Sequence, residues 1–364
     1  PVSWLVFVGR NAGLDDMRRR QRQEALPDEA VICDLEDAES WQAEQIDHAQ
    51  YHDDVLRLLF ICCHPELPAT QQIALALRIV SGLTVAEIAR AFLVSEAAME
   101  QRITRAKRKV SDAALPFEAP GAPEWAERLG VVAAMIYLVF NEGYSASGGK
   151  AQIRASLCEE AIRLARLLLR MFPSEPEIMG LLALMLLQHA RTPARLDADG
   201  QIVLLDDQDR SLWNAGMIAE GTALIDKAMR HRRTGPYQVQ AAIAALHAQA
   251  SRPEDTDWAQ IDMLYATLER LQPSPVVTLN RAVAVSKRLG PAAALEMIQP
   301  LAKPLSSYFH FHGLQGALLM QLGRNEEAGI AFGKAIALAR TPAEAAHIRQ
   351  HLDRLQKDSN QPAA

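Results

Sequence analysis

The chain has 364 residues, 49% of them hydrophobic, and a formal net charge of −6. That length suits two or three domains of about 100–200 residues each, and the apolar fraction supplies their cores. A mildly acidic whole excludes a blanket attraction to nucleic acid, so any DNA contact must come from a local patch.

Four cysteines (Cys33, Cys62, Cys63, Cys158) show no disulfide-type spacing, which points to a reducing compartment. No signal segment opens the chain and no run of about 18 apolar residues occurs, so the expectation is a cytoplasmic protein with no membrane partner. The chain starts at Pro1 without a Met, already inside an apparent helix, and residues in front are expected.

Apolar residues recur at threes and fours almost throughout, and strand alternation is nearly absent, so the fold class is all-α. Residues 1–23 read as an amphipathic helix with an apolar opening (Trp4, Leu5, Phe7, Val8) and a basic end (Arg18, Arg19, Arg20, Arg22). Residues 24–54 hold many carboxylates and no Lys or Arg, the composition of a linker. Residues 55–114 form a compact helical domain, which closes at the proline-rich connection 115–123.

Beyond it, 124–235 is a helical extension, interrupted where Asp199-Gly200 precedes Ile202, Val203 and Leu204, the pattern of a small hairpin or ordered loop. Residues 236–364 carry a repeat. Leu289-Gly290 and Leu322-Gly323 lie 33 apart, and Ala282 and Gly316, like Ala294 and Ala328, lie 34 apart. Gly316, Ala328, Phe332 and Ala335 take the small and large packing positions of a tetratricopeptide pattern, with Pro342 shortly after.

The stretch LTVAEIARAFLVSEAAMEQRITRAKRKV (83–110) concentrates the chemistry. Val85, Ile88, Ala89 and Phe92 share one helical face, and Thr84 with Glu87 makes a capping box. After Leu93, Val94 and Ser95 a second helix begins with Ser95 as its cap and Met99, Ile103, Ala106 and Val110 as its buried stripe. Its opposite face carries Ala97, Gln101, Arg105 and Arg108, with Arg102 and Lys109 on the flanks. A helix-turn-helix uses such a second helix in the major groove, amides and guanidiniums to base edges and flanking cations to phosphates. A helical hairpin with a solvated basic face carries the same pattern, so both readings stand on these residues alone.

Glu87-Ile88-Ala89, Ser95 and Arg105-Ala106-Lys107 resemble region 4 of bacterial sigma factors of the extracytoplasmic-function (ECF) class. Leu93 stands where that family usually has a turn Gly. SWLVFVGRNAGLDDMRRRQR (3–22) is similar to the last helix of sigma region 2, and the long helical tail is similar to the tetratricopeptide-like extension of one ECF group. The resemblance implies a sigma factor that directs core RNA polymerase to promoter DNA and is regulated through its C-terminal extension. It implies −35 contacts through Ser95, Ala97, Ala98, Gln101, Arg102, Arg105, Arg108 and Lys109, and duplex contacts near the −10 element through Arg10, Arg18, Arg19 and Arg22. The front of region 2 is not in the chain. The tail either docks on the sigma domains or binds a separate regulatory protein.

Two other readings compete: a one-component helix-turn-helix activator with a helical-repeat sensor, and a repeat-built interaction scaffold. Neither accounts for residues 3–22 as a sigma segment. An enzyme is not expected, and no cofactor or metal is implied. Cys62-Cys63-His64 lacks a second ligand pair and Cys62 continues the apolar face of Val55, Leu58 and Leu59. Asp197, Asp199 and Gln201 resemble the start of a calcium loop, but Ile202 and Gln208 stand where Gly and Glu are needed. His310 and His312, beside Phe309 and Phe311, read as packing residues.

Overall fold

The computed structural model describes residues 62, 67–79, 81, 83–92, 94–112, 122–144, 151–197, 203–339, 344–346 and 348–352. The expected helix 1–23 with Arg10, Arg18, Arg19 and Arg22 lies outside them, as do the acidic linker and the front of the 55–114 domain. So do Cys33, Cys63, His64, Leu93, the segment 198–202 and Pro342. The chain divides into two compact units, Pro1–Val132 and Ala133–Ala364.

In the first unit, α1 (Ala69–Ile79), α2 (Val85–Ala91) and α3 (Glu96–Asp112) pack on one another. Ile73 to Leu77 are all buried along α1, and Arg78 Nη1 donates to the Leu83 carbonyl at 3.0 Å, tying the end of α1 to the entry of α2. Cys62 is fully buried. The helix α4 (Ala122–Tyr144) begins with Pro123 in its first turn, where a missing N–H costs nothing.

The second unit is an array of helices in which each packs on its chain neighbours. α5 (Ala151–Met171) precedes α6 (Pro176–His189), whose Ile178 to Leu187 are all buried, so α6 is central. α7 (Ala215–Met229) and α8 (Pro236–Gln249) cover it, followed by α9 (Trp258–Leu271) and α10 (Pro275–Leu289). Glu177, in the first turn of α6, accepts from the Tyr237 and Gln238 backbone N–H groups at 3.1 and 3.2 Å, so one helix supplies the N-terminal cap of another. Between α9 and α10, buried Asp262 accepts from Arg281 Nε and Arg288 Nη1, each at 2.7 Å.

α11 (Pro291–Ile298), α12 (Phe309–Gln321) and α13 (Asn325–Leu338) complete the array. The repeated Leu-Gly pairs sit at turns: Gly290 has φ +93° and Gly323 φ +72°, backbone that disfavours a side chain. Ala282, Ala294, Ala328, Phe332 and Ala335 are fully buried, and Gly316 meets the Phe332 ring. His312 is buried with Nε2 2.8 Å from the Ser306 carbonyl, a packing role as expected, whereas His310 is exposed against Tyr308 and Phe309.

Where a hairpin or ordered loop was expected, the Val203 N–H donates to the Arg195 carbonyl at 2.9 Å, and Leu196 is an isolated bridge residue. Gln208 Nε2 donates to Val203 and Lys287 pairs with Asp206 at 2.7 Å, so this segment is ordered by α10. No three metal-ligating side chains cluster among the described residues, and no described helix is long and apolar enough to cross a membrane.

Candidate nucleic-acid interface

Local chemistry fixes both ends of the turn between α2 and α3. The Thr84 N–H donates to Glu87 Oε2 at 2.7 Å, while the Glu87 N–H donates to Thr84 Oγ1 at 3.2 Å, the reciprocal capping box read from the sequence. At the far end of α2 the Val94 N–H donates to the Ala89 carbonyl at 3.0 Å, closing the helix. One residue later Ser95 Oγ accepts from the Ala98 N–H at 3.3 Å and starts α3.

The stripe of α3 is buried where expected. Met99, Ile103 and Ala106 are 1%, 4% and 0% exposed, and Val110 is half-buried. They close on Ile88 and Ala89 of α2, both buried, and on α1. Burying this stripe turns the other face outward. Ser95, Ala97, Gln101, Arg105, Arg108 and Lys109 are exposed, and Ala98 and Arg102 are partly so. Arg10, Arg18, Arg19 and Arg22 lie outside the described residues, so the structure brings only the α3 set together.

Two residues on the same helix were not among the expected DNA contacts. Thr104 and Lys107 are exposed beside Arg105 and Arg108, and spacing from the stripe places Thr104 next to Gln101. α3 holds five cations (Arg102, Arg105, Lys107, Arg108, Lys109) against three carboxylates (Glu96, Glu100, Asp112), and the cations lie within 102–109. In a chain of charge −6 this is a local positive patch. Among the described residues Arg105 and Arg108 have no ion pair, so their donors are available to phosphate or base edges.

A helix-turn-helix with a cationic, outward second helix defines a DNA-binding class of protein. The comparisons agree. Residues 57–110 match the family described as sigma-70, region 4, and residues 128–229 match a family of unknown function (DUF6596). The chain is a sigma-factor-like protein, and its region 4 domain implies interaction with RNA polymerase and promoter DNA. It is 67% identical over 355 residues to an uncharacterized protein of Rhizobium meliloti (strain 1021), an alignment spanning 98% of this chain and 84% of the relative. The chain belongs to the family of that protein.

Proposed function

We propose that this chain is an ECF-type sigma factor in the cytoplasm, directing core RNA polymerase to promoters through residues 55–114. α3 reads the −35 element. Gln101 and Arg105 reach base edges, Arg102, Arg108 and Lys109 reach phosphates, and Ser95, Ala97 and Ala98 let the helix start approach the groove closely. Arg10, Arg18, Arg19 and Arg22 lie against duplex near the −10 element, with residues 24–54 as an acidic connection.

The observation that carries this reading is the α3 face itself, capped at Ser95, buried along Met99–Ile103–Ala106, and cationic on the outside. The extension 124–235 and the tetratricopeptide-like residues 236–364 regulate that activity. The supporting features are the paired helices with Gly290 and Gly323 at equivalent turns, and more helix than promoter reading needs. The tail acts by docking on the sigma domains, because the connection 115–123 is short and proline-rich, which keeps the two parts at high effective concentration.

Run-off transcription with core polymerase tests this, comparing the full-length protein with one cut near Pro120. Promoter-dependent transcript that changes on removing the tail supports the proposal. Promoter-independent output, identical for both chains, contradicts it.

A further inference from the structure

Within the second unit lies a cleft of about 740 Å³, walled by α4, α6, α8, α9 and α10. Its size falls among small-molecule sites of roughly 300–1,000 Å³. Leu184, Leu187 and Ile243 supply an apolar wall. Around that wall stand four tyrosines (Tyr137, Tyr237, Tyr265, Tyr308) and five side-chain amides.

The polar groups are organised. The Tyr137 hydroxyl lies beside Gln188 and Asn141, and its ring meets the Tyr237 ring edge-on at 5.5 Å. Burial raises the Tyr137 and Tyr237 phenols and takes Tyr265 to about 12, so at neutral pH these rings offer O–H donors. Burial, then the charges of Arg191 and Arg210, hold His247 at about 4, a neutral ring at pH 7.

No Asp or Glu is among the lining residues, which leaves the Arg191 guanidinium as the charged group of the lining. Its Nη2 donates to the Tyr144 hydroxyl at 2.7 Å, and its Nε is buried without a hydrogen-bond partner. Among the described residues no carboxylate pairs with it. A guanidinium at a neutral, tyrosine- and amide-lined cleft is matched by an anion from outside the protein.

We propose that this cleft binds a small organic monoanion with a flat aromatic group and amide-like donors and acceptors, its carboxylate seated on Arg191. The aromatic group packs against the tyrosine rings. Gln188, Gln240 and Asn141, each both donor and acceptor, match the ligand's polar groups. The site stands whether or not the chain is a sigma factor.

Titration calorimetry on the full chain with N-acetyltryptophan and its neutral amide, N-acetyltryptophanamide, tests the inference. The acid saturates one site and the amide binds roughly tenfold or more weakly, the scale of a charge-assisted contact. Arg191→Gln lowers the acid to the level of the amide, and Arg191→Lys retains part of the preference. Ala244→Trp, which fills the cleft, removes both isotherms, and Arg105→Ala on α3 leaves both unchanged. Circular dichroism melts establish that each variant is folded; where Arg191→Gln is not, the acid–amide comparison and Ala244→Trp decide. No binding of the acid at about 10 mM, equal binding of acid and amide, or a preference surviving in folded Arg191→Gln overturns the proposal.

Discussion

Adding one methyl group to the C-terminal helices should have opposite effects at two glycines. A Cβ on Gly316 of α12 would stand 2.6 Å from Phe332 Cδ1 and Cε1 and 3.0 Å from Cγ. The Phe332 ring is fully buried and stacks on His351 with centroids 5.4 Å apart and planes at 11°, so it has nowhere to retreat. Overpacking of that kind costs about 1–3 kcal/mol, against the roughly 1 kcal/mol that Ala gains over Gly in a helix. Gly316→Ala should therefore lose up to about 2 kcal/mol. On α13 a Cβ at Gly333 meets nothing within 4 Å, so Gly333→Ala keeps the helix gain and should stabilise by about 0.5–1 kcal/mol. At roughly 2–4 °C per kcal/mol for a unit of this size, differential scanning calorimetry should place the two melts on either side of the parent. Gly316→Ala melting as high as Gly333→Ala would refute the close approach of α12 and α13 at this ring.

Arg105→Ala should cost about 1–3 kcal/mol on a cognate −35 duplex and relax preference there, whereas Lys109→Ala should weaken all sequences alike and lower the salt slope, both read by fluorescence anisotropy across a salt series. Asp262→Asn should cost about 2–3 kcal/mol in urea midpoint, because Arg288 loses its carboxylate while Arg281 keeps Glu269 at 2.7 Å. His247, held at about 4 against 6.5 when unfolded, gives stability that is full above pH 6.5 and lost as pH falls toward 4, by up to about 3 kcal/mol. In chemical denaturation across that pH range, His247→Gln should flatten the loss.

The helix-turn-helix was readable because its determinants are local. Thr84, Glu87 and Ser95 cap helices within three residues of themselves, and the stripe Met99–Ile103–Ala106 needs only the helical period. The cationic face then follows as whatever the stripe leaves outside. Leu-Gly pairs likewise announced two turns, since positive φ leaves its mark on residue type. Non-local features left no such mark. Glu177 caps a helix about sixty residues away, and its sequence context shows only an acidic first turn. The cleft draws Tyr137, Gln188, Gln240 and Tyr265 from four helices. Its faint local trace is Gln240, Ala244 and His247 at helical spacing on α8, a pattern any half-buried helix carries.

The central claim is that α3 reads a DNA sequence. It is tested most directly by incubating the chain with a random duplex pool, retaining bound DNA and sequencing it, beside Arg105→Ala treated alike. The account predicts enrichment of one short motif by the parent chain and loss of that motif, with DNA still retained, by Arg105→Ala. Retained DNA with no enriched motif from the parent, or the same motif from Arg105→Ala, would contradict it.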